Sequence, residues 1–335
     1  MGKTIILIWI ISLSLLFSKS NIVPLPDLSK PESIHLDDHR FYIVERTSIY
    51  IYNLNNFELQ KRIGKEGEGP GEFKILPFLP LFINITDKHI VVNSFGKVAF
   101  FNKEGTLLNE EKVKGGYIFY IMPLGHNLAG QGGIQEGNNR YRVINIYDNK
   151  LNKIKEVCRV IDDFKGPGNG YDVLEKRFRH QTLDNLLLVA EKPDFTIDVY
   201  DTAGKKVSSI SQKYNRVPMS QSDSADITDY LKNSSRTKTF FPLFKPLRFP
   251  SHFPAIMNLY TANEKIYVMT WRRKNRKTEF FVFDKKGQLI KKTFIFLAFQ
   301  NPVEPSPFAI RNNRLFQLVE NEEAEEWELH ISDIK

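Results

Sequence analysis

From Ser33 onward, apolar and polar positions alternate in short runs bounded by Asn, Asp, Gly and Pro, a period of two that predicts strands. One element recurs. An alternating strand ends in an aromatic, followed by Asn or Asp and a short turn: "SIYIYNLNN", "KVAFFNKEG", "RYRVINIYDNK", "FTIDVYDTAG" and "TEFFVFDKKG". The anchoring aromatics Tyr52, Phe101, Tyr147 and Tyr200 recur about every 50 residues, a propeller-like period. Phe283 follows after a longer gap, and "EWELHISD" is a degenerate sixth copy centred on Ile331.

Each copy has the same companions. A short strand precedes it ("FYIVE", "HIVVN", "NLLLVAE", "KIYVMT", "RLFQLVE"), and in most copies a second alternating strand follows it ("ELQKRI", "KKVSSI"). The Asn or Asp can bond its own backbone, and Gly105, Gly204 and Gly287 suit a left-handed hairpin position. A further strand ahead of each copy ("SIHLD", "LFINI", "YIFYIM", "HQTLD", "AIMNLY", "PFAIRN") gives four strands per unit, A to D. The last unit stops after its third strand, whereas Asn21 to Lys30 is an extended segment left over at the start. The expected fold is therefore an all-β, six-bladed β-propeller of four-stranded antiparallel blades, its last blade closed by the N-terminal strand.

The loop "GEGPGEF", the repeated "YD" or "FD" turn and the stretch "FFPLFKPLRFPSHFPAIMNLYTANEKIYVMT" resemble exported bacterial six-bladed propellers of the NHL-like or TolB-like kind. The resemblance implies that Gly69 to Phe73 ends one blade and leads into the next. The residues agree. A phosphate cradle needs glycines between a strand and a helix, with Lys-Ser or Lys-Thr after the last, but Gly71 is followed by Glu72 and Phe73 and then by a Pro-interrupted strand. Phe73 is expected to wedge between two sheets.

In such a meander the B–C and D–A connections share one side of the disc, and the A–B and C–D hairpins share the other. The unusual segments all fall on the first side. They are the Gly-rich loop, "GQGGIQEGNN" in blade 3, residues 214–250 between blades 4 and 5, "WRRKNRK" in blade 5 and "ENEEAEEWE" in blade 6. Within residues 214–250, "SQSDSADITDYLKNSS" predicts a short helix, and "TFFPLFKPLRFPSHFP" predicts extended chain. That segment is either a lid over the channel mouth or a strap between blades.

Candidate chemistry follows from these positions. His35 and His180 fall on A strands and His252 just before one, so the three imidazoles are the candidate metal ligands if the channel holds a metal-dependent lyase or hydrolase. No short-range ligand spacing supports that reading, and no cofactor is expected. Trp271, Arg272, Arg273, Lys274 and Arg276 form the candidate binding tip, with His180 and His252 as further binding candidates. Glu320, Glu322, Glu323, Glu325, Glu326 and Glu328 form an acidic tip on the next blade. The two tips are expected to pair with each other.

The remaining sequence sets the setting. The first residues carry Lys3, an apolar run from Ile5 to Phe17 and small residues at Ser18 and Ser20, which reads as a signal peptide over 1–20, shorter than the about 20 apolar residues of a membrane span. Residues 21–335 are then one propeller, secreted or periplasmic and monomeric. The formal charge of +8 includes Lys3 and Lys19, and the modest remainder argues against a nucleic-acid partner. Cys158 is the only cysteine, which excludes an internal disulfide and a lipid-bearing cysteine after the signal. The expected function is non-catalytic binding of a protein or glycan through the D–A and B–C face, with an adhesin or carbohydrate-binding role resting on the aromatics of 214–250.

Overall fold

The computed structural model describes residues 21–76, 80–114, 117–162, 168, 170–174 and 178–334, so the expected signal peptide lies outside the described residues. Six four-stranded antiparallel sheets form a β-propeller. Blades 1 to 3 comprise Ser33–Leu36, Arg40–Glu45, Ser48–Asn53 and Leu59–Ile63; Phe82–Ile85, His89–Ser94, Lys97–Asn102 and Leu107–Lys112; and Ile118–Leu124, Asn127–Glu136, Asn139–Tyr147 and Lys153–Ile161. Blades 4 and 5 comprise Arg179–Leu183, Leu186–Ala190, Thr196–Tyr200 and Lys206–Ser211; and Asn258–Ala262, Lys265–Lys274, Lys277–Asp284 and Leu289–Phe296. Blade 6 takes Phe308–Arg311, Arg314–Asn321 and Glu326–Asp333 from the end of the chain and Asn21–Leu25 from its beginning. The A strands of neighbouring blades touch one another and line the axis.

Closure follows the expected register. Asn21 pairs with Ile331 and Leu25 with Trp327 in an antiparallel ladder, which leaves blade 6 with the same four strands as the others. Leu25 and Leu28 are buried, and the Trp327 indole donates to the Ser29 carbonyl at 3.0 Å.

The recurring aromatics hold the blades together. Tyr52, Phe101, Tyr147, Tyr200, Phe283 and Ile331 are all buried. The polar residue after each of the first five folds its own hairpin: Asn53, Asn102, Asp148, Asp201 and Asp284 all accept backbone N–H groups through Oδ1. Gly105, Gly204 and Gly287 are left-handed, and a Cβ on any of them would meet a side chain of the preceding blade, at 2.7 Å from Ile63, 2.8 Å from Lys155 and 2.7 Å from Ile210. One turn thus sets both the hairpin and its docking.

The Gly-rich loop is the connection from blade 1 to blade 2. Phe73 is fully buried among Tyr42, Val44 and Ile49 of blade 1 and Ile83, Ile90 and Phe101 of blade 2. The loop does bind anions, but they are carboxylates of the protein itself, one from the loop and one from the fourth strand of blade 2. Gly69 N–H donates to Glu72 Oε2 and Gly71 N–H to Glu110 Oε1, each at 2.9 Å, and Lys97 bridges Glu110 and the Gly69 carbonyl.

Candidate binding face

The strand order puts the B–C turns and D–A connections on one side, as expected, and the blades differ there in height. The B and C strands of blades 3, 5 and 6 run eight to ten residues, against five or six in blades 1, 2 and 4. Three hairpins therefore rise above the face. Much of "GQGGIQEGNN" is consequently strand, and only Gly137 and Asn138 form the turn.

Residues 214–250 strap this face. The helix Gln221–Asn233 starts with a capping box, the Ser220 hydroxyl accepting from Asp223 N–H and the Asp223 carboxylate accepting from Ser220 N–H. Ile227 buries its side chain in the same cluster as Val173, Leu174 and Trp271. The Pro-rich part departs from the extended expectation, because Phe241–Phe244 make one 3₁₀ turn. Pro242 sits in its first turn, where a missing N–H leaves no intrahelical bond unmade. Beyond it Leu247–Arg248 pairs in parallel with Tyr171–Asp172, on the connection after blade 3. Arg236 reaches Glu32, on the connection after blade 6. Those two connections are opposite each other in a six-bladed ring, so the segment crosses the channel mouth. It is a strap and a lid at once.

The basic tip is anchored at its base and free at its end. Trp271 is buried and stacks on Phe253 at 4.4 Å. Arg272 lies over the Tyr214 ring, donates to the Asn215 carbonyl at 2.8 Å and stands 3.7 Å from the buried Glu279 carboxylate. Arg273 covers Phe299 at 3.6 Å and donates to the Pro302 carbonyl. Lys274, Arg276 and Lys277 are exposed. Among the described residues no ion pair joins this tip to the acidic tip of blade 6, where Glu328 instead accepts from Asn321 and His330. Among the described residues the expected pairing between the tips is not made: Arg272 and Arg273 turn to Tyr214, Asn215, Phe299 and Pro302, and Glu328 turns to Asn321 and His330.

The histidines do not converge. His35 faces Ser33 at 3.2 Å, and burial pushes its pKa down to about 4. His252 is exposed just after the strap and contacts the Ser251 hydroxyl. Among the described residues no three His, Cys, Asp or Glu side chains group as metal ligands. His180 is fully engaged. Its Nε2 lies 3.0 Å from the Tyr120 carbonyl, which can only accept, so Nε2 carries the proton and Nδ1 accepts from the Gln131 amide at 3.0 Å. Burial pushes its pKa down to about 4, which keeps the ring neutral in this role. Burial likewise pushes the Cys158 thiol up to about 12, away from reactivity.

The Tyr120 carbonyl sits at an irregularity that sequence reasoning missed. Strand A of blade 3 bulges between Phe119 and Met122, and Tyr120 has φ +53°, a left-handed conformation unusual for an aromatic residue. The bulge breaks the alternation. Tyr120 consequently stays 38% exposed and meets Phe82 of blade 2 edge-on at 5.3 Å. Beside it Phe95, Tyr117 and Phe119 form a stacked row, with centroids 5.3 and 5.9 Å apart and interplanar angles of 28° and 6°. Tyr117 is 56% exposed. A shallow cleft lined by Pro80, Phe82, Asn93, Ser94, Phe119 and Tyr120 borders the row. The signal in the sequence was "GGYIFYIM", three aromatics at the start of one A strand, directly after two glycines.

No protein-family model matches the chain, and no curated protein does. The fold is similar to that of a candidate exported protein of Bacteroides fragilis NCTC 9343, with a TM-score of 0.58 and 14% identity over 95% of each chain. It is also similar to a DUF4221 member from Bacteroides vulgatus ATCC 8482, with a TM-score of 0.52 and 12% identity over 94% of this chain and 96% of the other. At these identities the likeness is one of fold. Among the described residues no helix is long and apolar enough to cross a membrane.

Proposed function

We propose that this protein is an exported propeller of the NHL-like kind that acts by binding, through its D–A and B–C face, rather than by catalysis. The carrying observation is the row Phe95, Tyr117 and Phe119 on that face, half-buried at its two phenylalanines and exposed at Tyr117, with the exposed Tyr120 beside it. Stacked rings left in water mark interaction surfaces, since exposed apolar area is unfavourable unless something covers it. The raised hairpins of blades 3, 5 and 6 and the strap give the face relief, while the A–B and C–D hairpins opposite are short. Export rests on the pattern of residues 1–20, and the likeness to a protein described as exported agrees with it.

Photo-crosslinking tests the face. A benzophenone amino acid at Asn138 or Arg276, on the proposed face, is expected to give covalent products with cell-envelope components. The same group at Lys150 or Lys286, on the opposite hairpins, is expected to give none. Equal or stronger products from Lys150 and Lys286 would overturn the assignment.

A further inference from the structure

We propose that the raised hairpin of blade 5 and the outer strand beside it form a contact surface for an anionic lipid membrane, with Phe294 and Phe296 entering the headgroup layer. The inference rests on the face reading above and names the partner of that face.

Register puts cations and rings on one side of the blade. Lys274 pairs with Lys277 and Lys277 with Phe296, so the three side chains stand in a row across strands B, C and D. Phe294 lies opposite Glu279 on the same side, and Lys292 lies opposite Phe281, whose ring it covers at 4.5 Å. Lys274, Lys277, Lys292, Phe294 and Phe296 are all exposed. The carboxylate among them is turned inward: Glu279 is buried, accepts from the Thr270 hydroxyl at 2.8 Å and faces Arg272 at 3.7 Å.

The two rings do not belong to the repeat. Ile290, lower on the same strand, has exposed counterparts in Leu108, Ile154 and Val207, so it is a general feature of the outer strands. Four residues further on, blades 2 to 4 have Lys112, Cys158 and Ser211 where blade 5 has Phe294. Phe294 is 37% and Phe296 55% exposed. Apolar area left in water next to polar groups marks a contact.

Charge gives the sign of the partner. No Asp or Glu occurs within residues 271–278 or 285–303. None occurs within 207–222 either, the stretch that leaves the outer strand of blade 4 and packs beside this side of blade 5 through Ile210 and Tyr214. The counterpart must therefore be anionic.

Shape gives its kind. The outer strand Leu289–Phe296 ends opposite Lys277, the first residue of strand C, so Phe296 stands at the height of the tip on a hairpin that rises above the face. Rings on a protruding edge would need a fitted pocket in a folded protein, whereas a headgroup layer accepts them without one. Interfacial binding adds buried apolar area to attraction for anionic lipids, and this ridge offers both.

Flotation of the chain from Asn21 onward with lipid vesicles tests the proposal, using phosphatidylcholine alone and phosphatidylcholine mixed with phosphatidylglycerol. Binding is expected to the mixed vesicles only, and it should weaken as salt rises. Changing Lys274, Arg276 and Lys277 together to Glu should weaken it at least tenfold, and Phe296→Ala severalfold, both with the melting temperature nearly unchanged. Leu108→Ala, which removes an exposed apolar side chain from the outer strand of blade 2, retains it. Phe296→Trp retains it too, and brominated lipid should quench the added indole, since Trp271 and Trp327 are buried. No binding to the mixed vesicles, equal binding to neutral ones, or no quenching in Phe296→Trp would overturn the proposal. So would a loss in the charge variant with none in Phe296→Ala, because the rings would then take no part. Cross-links from Asn138 and Arg276 to a protein, without vesicle binding, would leave the face standing and remove only the lipid.

Discussion

Arg236 meets Glu32 at 3.3 Å although 204 residues separate them, and this contact ties the strap to the side of the ring opposite the strap's pairing with Tyr171–Asp172. Burial raises the Glu32 carboxyl pKa, and Arg236 opposes that shift. Its second oxygen, Oε2, is buried without a hydrogen-bond partner. Arg236→Ala is expected to cost about 1–2 kcal/mol by leaving the carboxylate uncompensated. Hydrogen exchange over residues 221–248 should speed up. Adding Glu32→Gln should recover most of the loss, and no recovery would show that Arg236 acts by packing alone.

Closure makes a second prediction. A chain starting at Glu32 loses the outer strand of blade 6 together with the buried Leu25 and Leu28. The expected loss exceeds about 4 kcal/mol, the scale of removing two buried leucines. Unfolding should also lose cooperativity, because two sheet edges open. Denaturant melts of both chains measure this, and coincident curves would contradict the closure.

Two glycines separate strain from contact. Gly96 and Gly287 are both left-handed, at φ +84° and +81°, but only Gly287 has a neighbour that a Cβ would strike, Ile210 at 2.7 Å. Gly96→Ala should cost about 1 kcal/mol from backbone strain. Gly287→Ala should cost more, since blade 4 must also move. Equal losses would mean that the hairpin contact between blades is soft.

The fourth concerns pH. His180 binds a proton less readily folded, at about 4, than unfolded, at 6.5, so the unfolded state takes up protons between those values. Stability is full above pH 6.5 and is lost as pH falls toward 4, by up to about 3 kcal/mol at 1.36 kcal/mol per unit. His35 shifts the same way. His180→Gln keeps a donor toward Tyr120 and should shrink, without abolishing, the fall in melting temperature between pH 7 and pH 5. An unchanged slope would assign the effect to other groups.

Changing Lys274, Arg276 and Lys277 together to Glu should alter stability by less than about 1 kcal/mol, because these side chains are exposed and take part in no ion pair among the described residues. A larger drop in melting temperature would show that the hairpin tip supports the fold.

The blades were legible because their signals are local. A buried aromatic, an Asn or Asp that bonds its own turn and a left-handed glycine lie within a few residues of one another, and the period repeats them. The strap helix was legible through Ser220 and Asp223. The crossing of the mouth was not, since Arg236 and Glu32 share no local pattern. Neither was the ring row, because it joins Phe95 of one blade to Tyr117 and Phe119 of the next, and because the bulge at Tyr120 reverses the alternation that a strand pattern assumes. The three histidines read alike in sequence, yet one supports a bulge, one is half-buried beside a serine and one is exposed just after the strap.

The pairing of Asn21 with Ile331 also sets a timetable. Of the blade strands, Asn21–Leu25 is made first and finds its partner last, because the strands of all six blades up to Glu326–Asp333 lie between them in the chain. Contacts of such sequence separation form slowly. Until then blade 6 offers the open edge of its third strand, and Asn21–Leu25 remains a lone strand able to pair with another molecule's blade 6. At high concentration, refolding should therefore yield some dimers that have exchanged this strand, and dilution during refolding should suppress them.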